Sequence, residues 1–259
     1  MKRLAIFASG SGTNAENIIE YFNEKGIAEV SLILSNDKNA YVLERARKHN
    51  IPTVTFNRKT FYETDVILDL LHEMQIDLVV LAGFLWKVPG NLLKAYPDRI
   101  VNIHPALLPK YGGKGFYGTK VHESVIAAGE KESGITIHYV NEHYDAGQII
   151  FQATCPVLAE DTPESLAIKV HVYQRRAFPF EIGREQSKDA IVGRLSVKQP
   201  KSFQKTFFVH FAVNDVMFAE ACCRGSAARK ISANNGFTGY NTMTFKKRDW
   251  QEWNLRIMI

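Results

Sequence analysis

In Ile100-Val101-Asn102-Ile103-His104-Pro105 an apolar run ends in an amide, an imidazole and a proline. Asn102 and His104 are two apart, so on an extended segment their side chains share one face. Pro105 fixes its own φ and biases His104 towards an extended backbone, so the ring is held in place. An amide donor and a titratable ring on one face can stabilise an oxyanion and move protons. Downstream, Tyr144-Asp145-Ala146-Gly147 offers a carboxylate in a turn. Folded back beside His104, Asp145 is expected to keep the ring protonated near neutral pH, above its reference pKa of about 6.5. The plainer alternative is a hydrogen-bonded histidine at a strand end.

A second chemical stretch is Ser9-Gly10-Ser11-Gly12-Thr13-Asn14, between an apolar run and a helical pattern. Free N–H groups at a helix start, with hydroxyl and amide donors beside them, make a phosphate cradle. Gly10, Gly12 and Ala15 also fit a dinucleotide fingerprint with Asp37 as ribose ligand, which keeps a nicotinamide dehydrogenase open. Leu81 to Pro89 leaves an apolar strand at its carboxyl end, where open α/β sheets place ligands. There Phe84, Leu85 and Val88 could wall a slot for a flat heterocycle. Lys110 to Gly118, rich in glycine, reads as a lid or a connector. His122, His138, His143 and His171 lack metal-ligand spacing and read as surface or structural, so no metal site is expected.

The elements that must position these residues follow from periodicity. Short strands are predicted over residues 4–8, 30–34, 53–56 and 77–82, with helices over 41–49 and 60–74 between them. The run Leu78-Val79-Val80-Leu81 is apolar throughout, as a strand covered on both faces requires. This alternation, continued through Ile103, argues for a doubly wound α/β fold with a mostly parallel sheet. Residues 135–140 alternate like an antiparallel strand, with 148–154 as a partner, and Thr162 to Arg175 reads as a helix.

The 259 residues carry a formal net charge of +5, unevenly distributed. Residues 1–180 hold 19 Lys and Arg against 20 Asp and Glu, and residues 181–259 hold 13 against 7. Beyond Phe180 no helix or strand period is sustained. This basic extension reads as an added module, a disordered tail or a frame-shifted end, and its Phe207, Phe208, Trp250 and Trp253 give the one hint of nucleic-acid contact. No apolar run is long enough to span a membrane. Cys155, Cys222 and Cys223 lack metal spacing and fit a reducing cytoplasm.

Taken in order, the Ser9–Asn14 loop, Leu81-Ala82-Gly83-Phe84, the segment Asn102 to Pro109 and Asp145-Ala146-Gly147 resemble the folate-dependent formyltransferases, in the branch acting on glycinamide ribonucleotide. The likeness covers residues 1–180 and implies a Rossmann-like formyltransferase fold followed by the irregular C-terminal extension. It implies transfer of a formyl group from 10-formyltetrahydrofolate to the amine of glycinamide ribonucleotide, in purine biosynthesis, with no metal. Asn102, His104 and Asp145 would be catalytic. Gly12, Thr13, Asn14 and Gln174 would hold phosphate and ribose, with Gln174 standing where the family has a glutamate. Leu85, Trp86, Lys87, Val88 and Asn102 would bind the folate. A homodimer is compatible with the resemblance, and neither a membrane nor a nucleic acid is implied. The alternatives are a formyltetrahydrofolate hydrolase, which would carry an amino-terminal regulatory domain where this first strand begins at Leu4, and a catalytically impaired nucleotide or folate binder. A methionyl-tRNA formyltransferase would need a carboxyl-terminal barrel, for which residues 181–259 show no strand rhythm.

Overall fold

The computed structural model describes residues 1–187. The extension beyond them, with its aromatics, Cys222 and Cys223 and what is expected of them, lies outside the described residues. Seven strands form one sheet in the order β3-β2-β1-β4-β5-β6-β7. The parallel part comprises β1 (Lys2–Phe7), β2 (Ala28–Ser35), β3 (Thr53–Thr55), β4 (Leu78–Leu81) and β5 (Ile100–His104), and β6 (Glu132–Tyr139) and β7 (Ile149–Pro156) continue it antiparallel. Helices α1 (Thr13–Lys25), α2 (Val42–Lys48), α3 (Arg58–Tyr62), α4 (Val66–Glu73), α5 (Gly90–Ala95), α6 (Thr119–Ala127) and α7 (Pro163–Ser187) connect and cover it. One core lies under α1, α2 and α7, with Ile6, Val80, Val101 and Ile103 on that face; the other holds Phe7, Leu81, Ile100 and Val88. The doubly wound, mostly parallel architecture is the one periodicity predicts. Among the described residues no helix is long and apolar enough to cross a membrane.

Two helices differ from expectation. The single helix predicted over 60–74 is two, because Asn57 Oδ1 accepts the Thr60 N–H (2.9 Å) and starts α3 early, while Thr64 Oγ1 bonds back to the Thr60 carbonyl (2.8 Å) after α3 has ended. Such side-chain bonds to the main chain compete with helix propagation. The helix predicted to end at Arg175 runs on to Ser187, through Pro179 and past position 180. Leu166, Val170, Gln174, Phe178 and Ile182 recur every four residues and are buried, so packing carries the helix where local propensity does not.

Candidate active site

Strand register assembles the site. Asn102 and His104 project from one face of β5, and the antiparallel pairing sets His138 opposite Asn102 and Thr136 opposite His104. Asp145, at φ 51° in the β6–β7 turn, folds its carboxylate back over both. Its Oδ2 lies 3.5 Å from His104 Nδ1, and its Oδ1 lies 3.5 Å from Asn102 Nδ2 and 3.6 Å from His138 Nε2. The three side chains expected from the sequence therefore meet. His138, read as surface or structural, is a fourth member, buried in the same cluster with its Nε2 3.1 Å from Asn102 Nδ2. A single histidine inside a strand carries no local signal, and only the register reveals it.

The glycine loop after Pro109 is a working part of the site. The Tyr111 carbonyl sits 2.7 Å from His104 Nε2, and the Gly113 N–H donates to Asp145 Oδ2 (2.9 Å). A carbonyl only accepts, so Nε2 of His104 carries the proton and Nδ1, facing Asp145, is the atom that titrates. Behind the ring, Thr136 Oγ1 donates to the Ala106 carbonyl (2.7 Å) and accepts the Leu108 N–H (3.0 Å), and Gln152 donates to the Leu108 carbonyl (3.0 Å). These bonds hold the His-Pro loop against β6.

The charge state of His104 departs from expectation. Burial lowers its pKa, and the Asp145 carboxylate and the Tyr111 carbonyl only partly offset this, so the net shift is below the ordinary histidine value. The resting ring is neutral at neutral pH, with a lone pair on Nδ1. Burial pushes the Asp145 carboxyl up, but the His138 ring, the His104 ring once acid has protonated it, and the Gly113 N–H together hold it below its ordinary range. His122 is also lowered, by burial first and His104 second. Histidines held neutral when folded stabilise the protein fully above the unfolded pKa of about 6.5, and that contribution is lost as pH falls further. The melting temperature is therefore expected to be flat from pH 8 to 7 and to decline below about 6.5. In His122→Leu, which removes one of the two titrations and a ring whose Nδ1 has no hydrogen-bond partner among the described residues, thermal melts against pH should show a shallower decline.

The glycine loop expected to hold a phosphate leaves the end of β1, which is separated from β5 by β4 alone. Gly12 caps α1 at φ 72°, and a Cβ there would lie 2.5 Å from Val42 Cβ, so only glycine lets α2 pack against the loop. The N–H groups of Thr13, Asn14 and Ala15 lie in the first helical turn, where no carbonyl within the helix can receive them. Gln174 is buried beneath, its Oε1 accepting from Asn14 Nδ2 and from His171 Nδ1, both at 3.2 Å. Ser9 Oγ donates to Asn36 Oδ1 (2.6 Å) and accepts the Leu85 N–H (3.0 Å), tying this loop to the one after β4. Asp37 Oδ1 accepts the Asn39 N–H (2.9 Å) within its own turn. Of the residues expected to bind the folate, Leu85 and Lys87 are exposed. Trp86 is half-buried, packed on Tyr62 and under the Arg58 guanidinium at 4.8 Å, and the Val88 side chain belongs to the core.

Residues 2–182 match the formyl transferase family. The chain is 43% identical over 188 residues to the chloroplastic phosphoribosylglycinamide formyltransferase of Arabidopsis thaliana, an alignment covering 70% of this chain and 64% of that one. It is 35% identical over 212 residues to the phosphoribosylglycinamide formyltransferase of Haemophilus influenzae, covering 78% of this chain and 98% of the relative. The crystal structure of the enzyme of that name from Bacillus halodurans superposes with a TM-score of 0.66 at 42% identity, covering 73% of this chain and 97% of that chain. The chain thus spans less than two thirds of the plant relative and nearly all of the bacterial ones.

Proposed function

The chain belongs to the formyl transferase family, and from that premise we propose that it transfers a formyl group from 10-formyltetrahydrofolate to the amine of glycinamide ribonucleotide, a step of purine biosynthesis. The observation that carries this reading is the convergence of Asn102 and His104 on the Asp145 carboxylate at the end of β5, each 3.5 Å from one of its oxygens. In this reading the substrate amine attacks the formyl carbon; a C–N bond forms and the carbonyl electrons move onto oxygen. Neutral His104 takes the amine proton on Nδ1. The imidazolium so formed is paired with Asp145, and with an N–H of Asn102 it stabilises the oxyanion. Collapse re-forms the carbonyl, breaks the bond to the folate N10, and returns a proton to that nitrogen.

The ends of the cleft support the two reactants. Gly12, Thr13 and Asn14 present helix-start donors to a phosphate, with Gln174 setting Asn14 from below. The segment Leu85 to Val88, on the strand end beside β5, receives the folate in this proposal. A cytoplasmic setting is proposed on cysteine usage, since Cys155 is a free thiol in the core. The similar proteins carry transferase names, which does not favour the hydrolase alternative.

The test uses the purified full chain with glycinamide ribonucleotide and 10-formyltetrahydrofolate, following deformylated folate spectroscopically and formylated nucleotide by mass. Turnover that depends on the nucleotide is the expected result. Release of formate at the same rate without nucleotide would overturn transfer in favour of hydrolysis, and no folate turnover would overturn both.

A further inference from the structure

An oxyanion donor is useful only if its N–H points at the oxyanion, and an asparagine amide can turn either end outwards. Which end Asn102 presents is settled by what lies behind it. Its Nδ2 is 3.1 Å from His138 Nε2 and 3.5 Å from Asp145 Oδ1, and those two acceptors are themselves only 3.6 Å apart. His138 Nε2 is the nearer of the two, and both lie on the same side of Nδ2. An N–H aimed at His138 passes Asp145 Oδ1 at the outer limit of a hydrogen bond, and on this reading the second N–H is left for the reacting group.

His138 can accept that first N–H because its own proton is placed elsewhere. Its Nδ1 lies 2.8 Å from the Tyr139 carbonyl, an oxygen that can only accept, so the ring proton resides on Nδ1 and Nε2 offers a lone pair. Gly147 leaves room for this arrangement, since a Cβ there would lie 1.7 Å from the Tyr139 carbonyl oxygen that receives the Nδ1 proton. The cross-strand register, His138 opposite Asn102, aims the lone pair at the amide. Were Asn102 turned over, its oxygen would face both the Nε2 lone pair and the Asp145 carboxylate, and face the developing oxyanion with no donor.

We infer that His138 is a positioning residue that fixes the sense of the Asn102 amide, so that one N–H is held inwards and the other faces the reacting carbonyl oxygen. This inference rests on the formyl-transfer reading for its kinetic consequence, but not for its structural content. His138→Leu removes the acceptor. It is expected to lower kcat about 10- to 100-fold, with both KM values within about twofold, because the lost interaction acts on the transition state. His138→Gln, whose Oε1 can accept the same N–H, is expected to recover most of that loss.

A double-mutant cycle decides through which neighbour His138 acts. In an Asn102→Ala background, His138→Leu should lower kcat less than about twofold further; an undiminished loss there would overturn the inference and point to Asp145 instead. Long-range 1H–15N spectra of the unliganded full chain, at mildly alkaline pH, provide a readout that needs no activity. The expected pattern is a His138 proton on Nδ1 and an unprotonated Nε2; a proton on Nε2 would overturn the inference. If the wild type shows this tautomer yet no formyl transfer, the functional reading fails while the geometry stands.

Discussion

Alanine in place of His104 is expected to lower kcat by about 10²- to 10⁴-fold, with the KM for glycinamide ribonucleotide within about threefold. The size follows from what the ring does. Its Nδ1 faces Asp145 at 3.5 Å with a lone pair in the resting state, so in the proposed reaction it is both the acceptor of the amine proton and, once charged, a partner of the oxyanion. Truncation removes both roles, and neither Asp145, held ionised below the ordinary carboxylate range, nor Asn102, which has no titratable proton, can replace them. In the proposed reading the nucleotide is held by the helix-start donors of Gly12 to Asn14, which His104 does not touch, so KM should hardly move. The ring is nearly fully buried, so the variant will also melt lower, and binding of the nucleotide by calorimetry separates loss of chemistry from loss of fold. Turnover within tenfold of wild type, with binding intact, would remove His104 from its role.

The second large effect is expected far from any side-chain chemistry, at Gly147→Ala. A Cβ at this position would lie 1.7 Å from the Tyr139 carbonyl oxygen and 2.8 Å from its carbon. Main chain cannot swing aside as a flexible side chain can. The Tyr139 N–H is bonded to the Gln148 carbonyl (2.9 Å), and its carbonyl receives His138 Nδ1 (2.8 Å). Admitting one methyl therefore means parting β6 from β7 at the turn that presents Asp145. A destabilisation of about 2–4 kcal/mol is expected, equivalent to a fall of roughly 5–15 °C in melting temperature for a domain of this size. Because Asp145 is two residues away, kcat should fall even at temperatures where the variant remains folded. Thermal melts and steady-state rates on the same preparation check both; a melting temperature within about 2 °C of wild type would refute the steric argument.

How far the site could be read from sequence varies with the kind of interaction. Asn102 and His104 were legible because period two is a local property: in any strand they share a face. The Gly12 turn was legible because glycine before a helix start has few uses, and the antiparallel ending of the sheet showed in the alternation of residues 135–140. His138 was not, since its significance comes from a pairing with a residue 36 positions away. The Tyr111 carbonyl and the Gly113 N–H were not, because main-chain groups are the same in every sequence. The protonation of His104 was misjudged for a related reason. A carboxylate partner can be guessed from a motif, whereas depth of burial, here the larger influence, belongs to the whole fold. Helix α7 exceeded its predicted end because the packing of Phe178 and Ile182 outweighs the local effect of Pro179.

The Ser9 hydroxyl ties together the loops that follow two adjacent strands. Ser9 leaves the end of β1, and Leu85, whose N–H it accepts, leaves the end of β4, and these strands are neighbours paired through Phe7 and Leu81. If these two loops hold the nucleotide and the folate as proposed, the gap between the reactants is set by the spacing of adjacent strands. A frame built this way acts as a fixed jig, in which the sheet sets the separation of the reacting atoms.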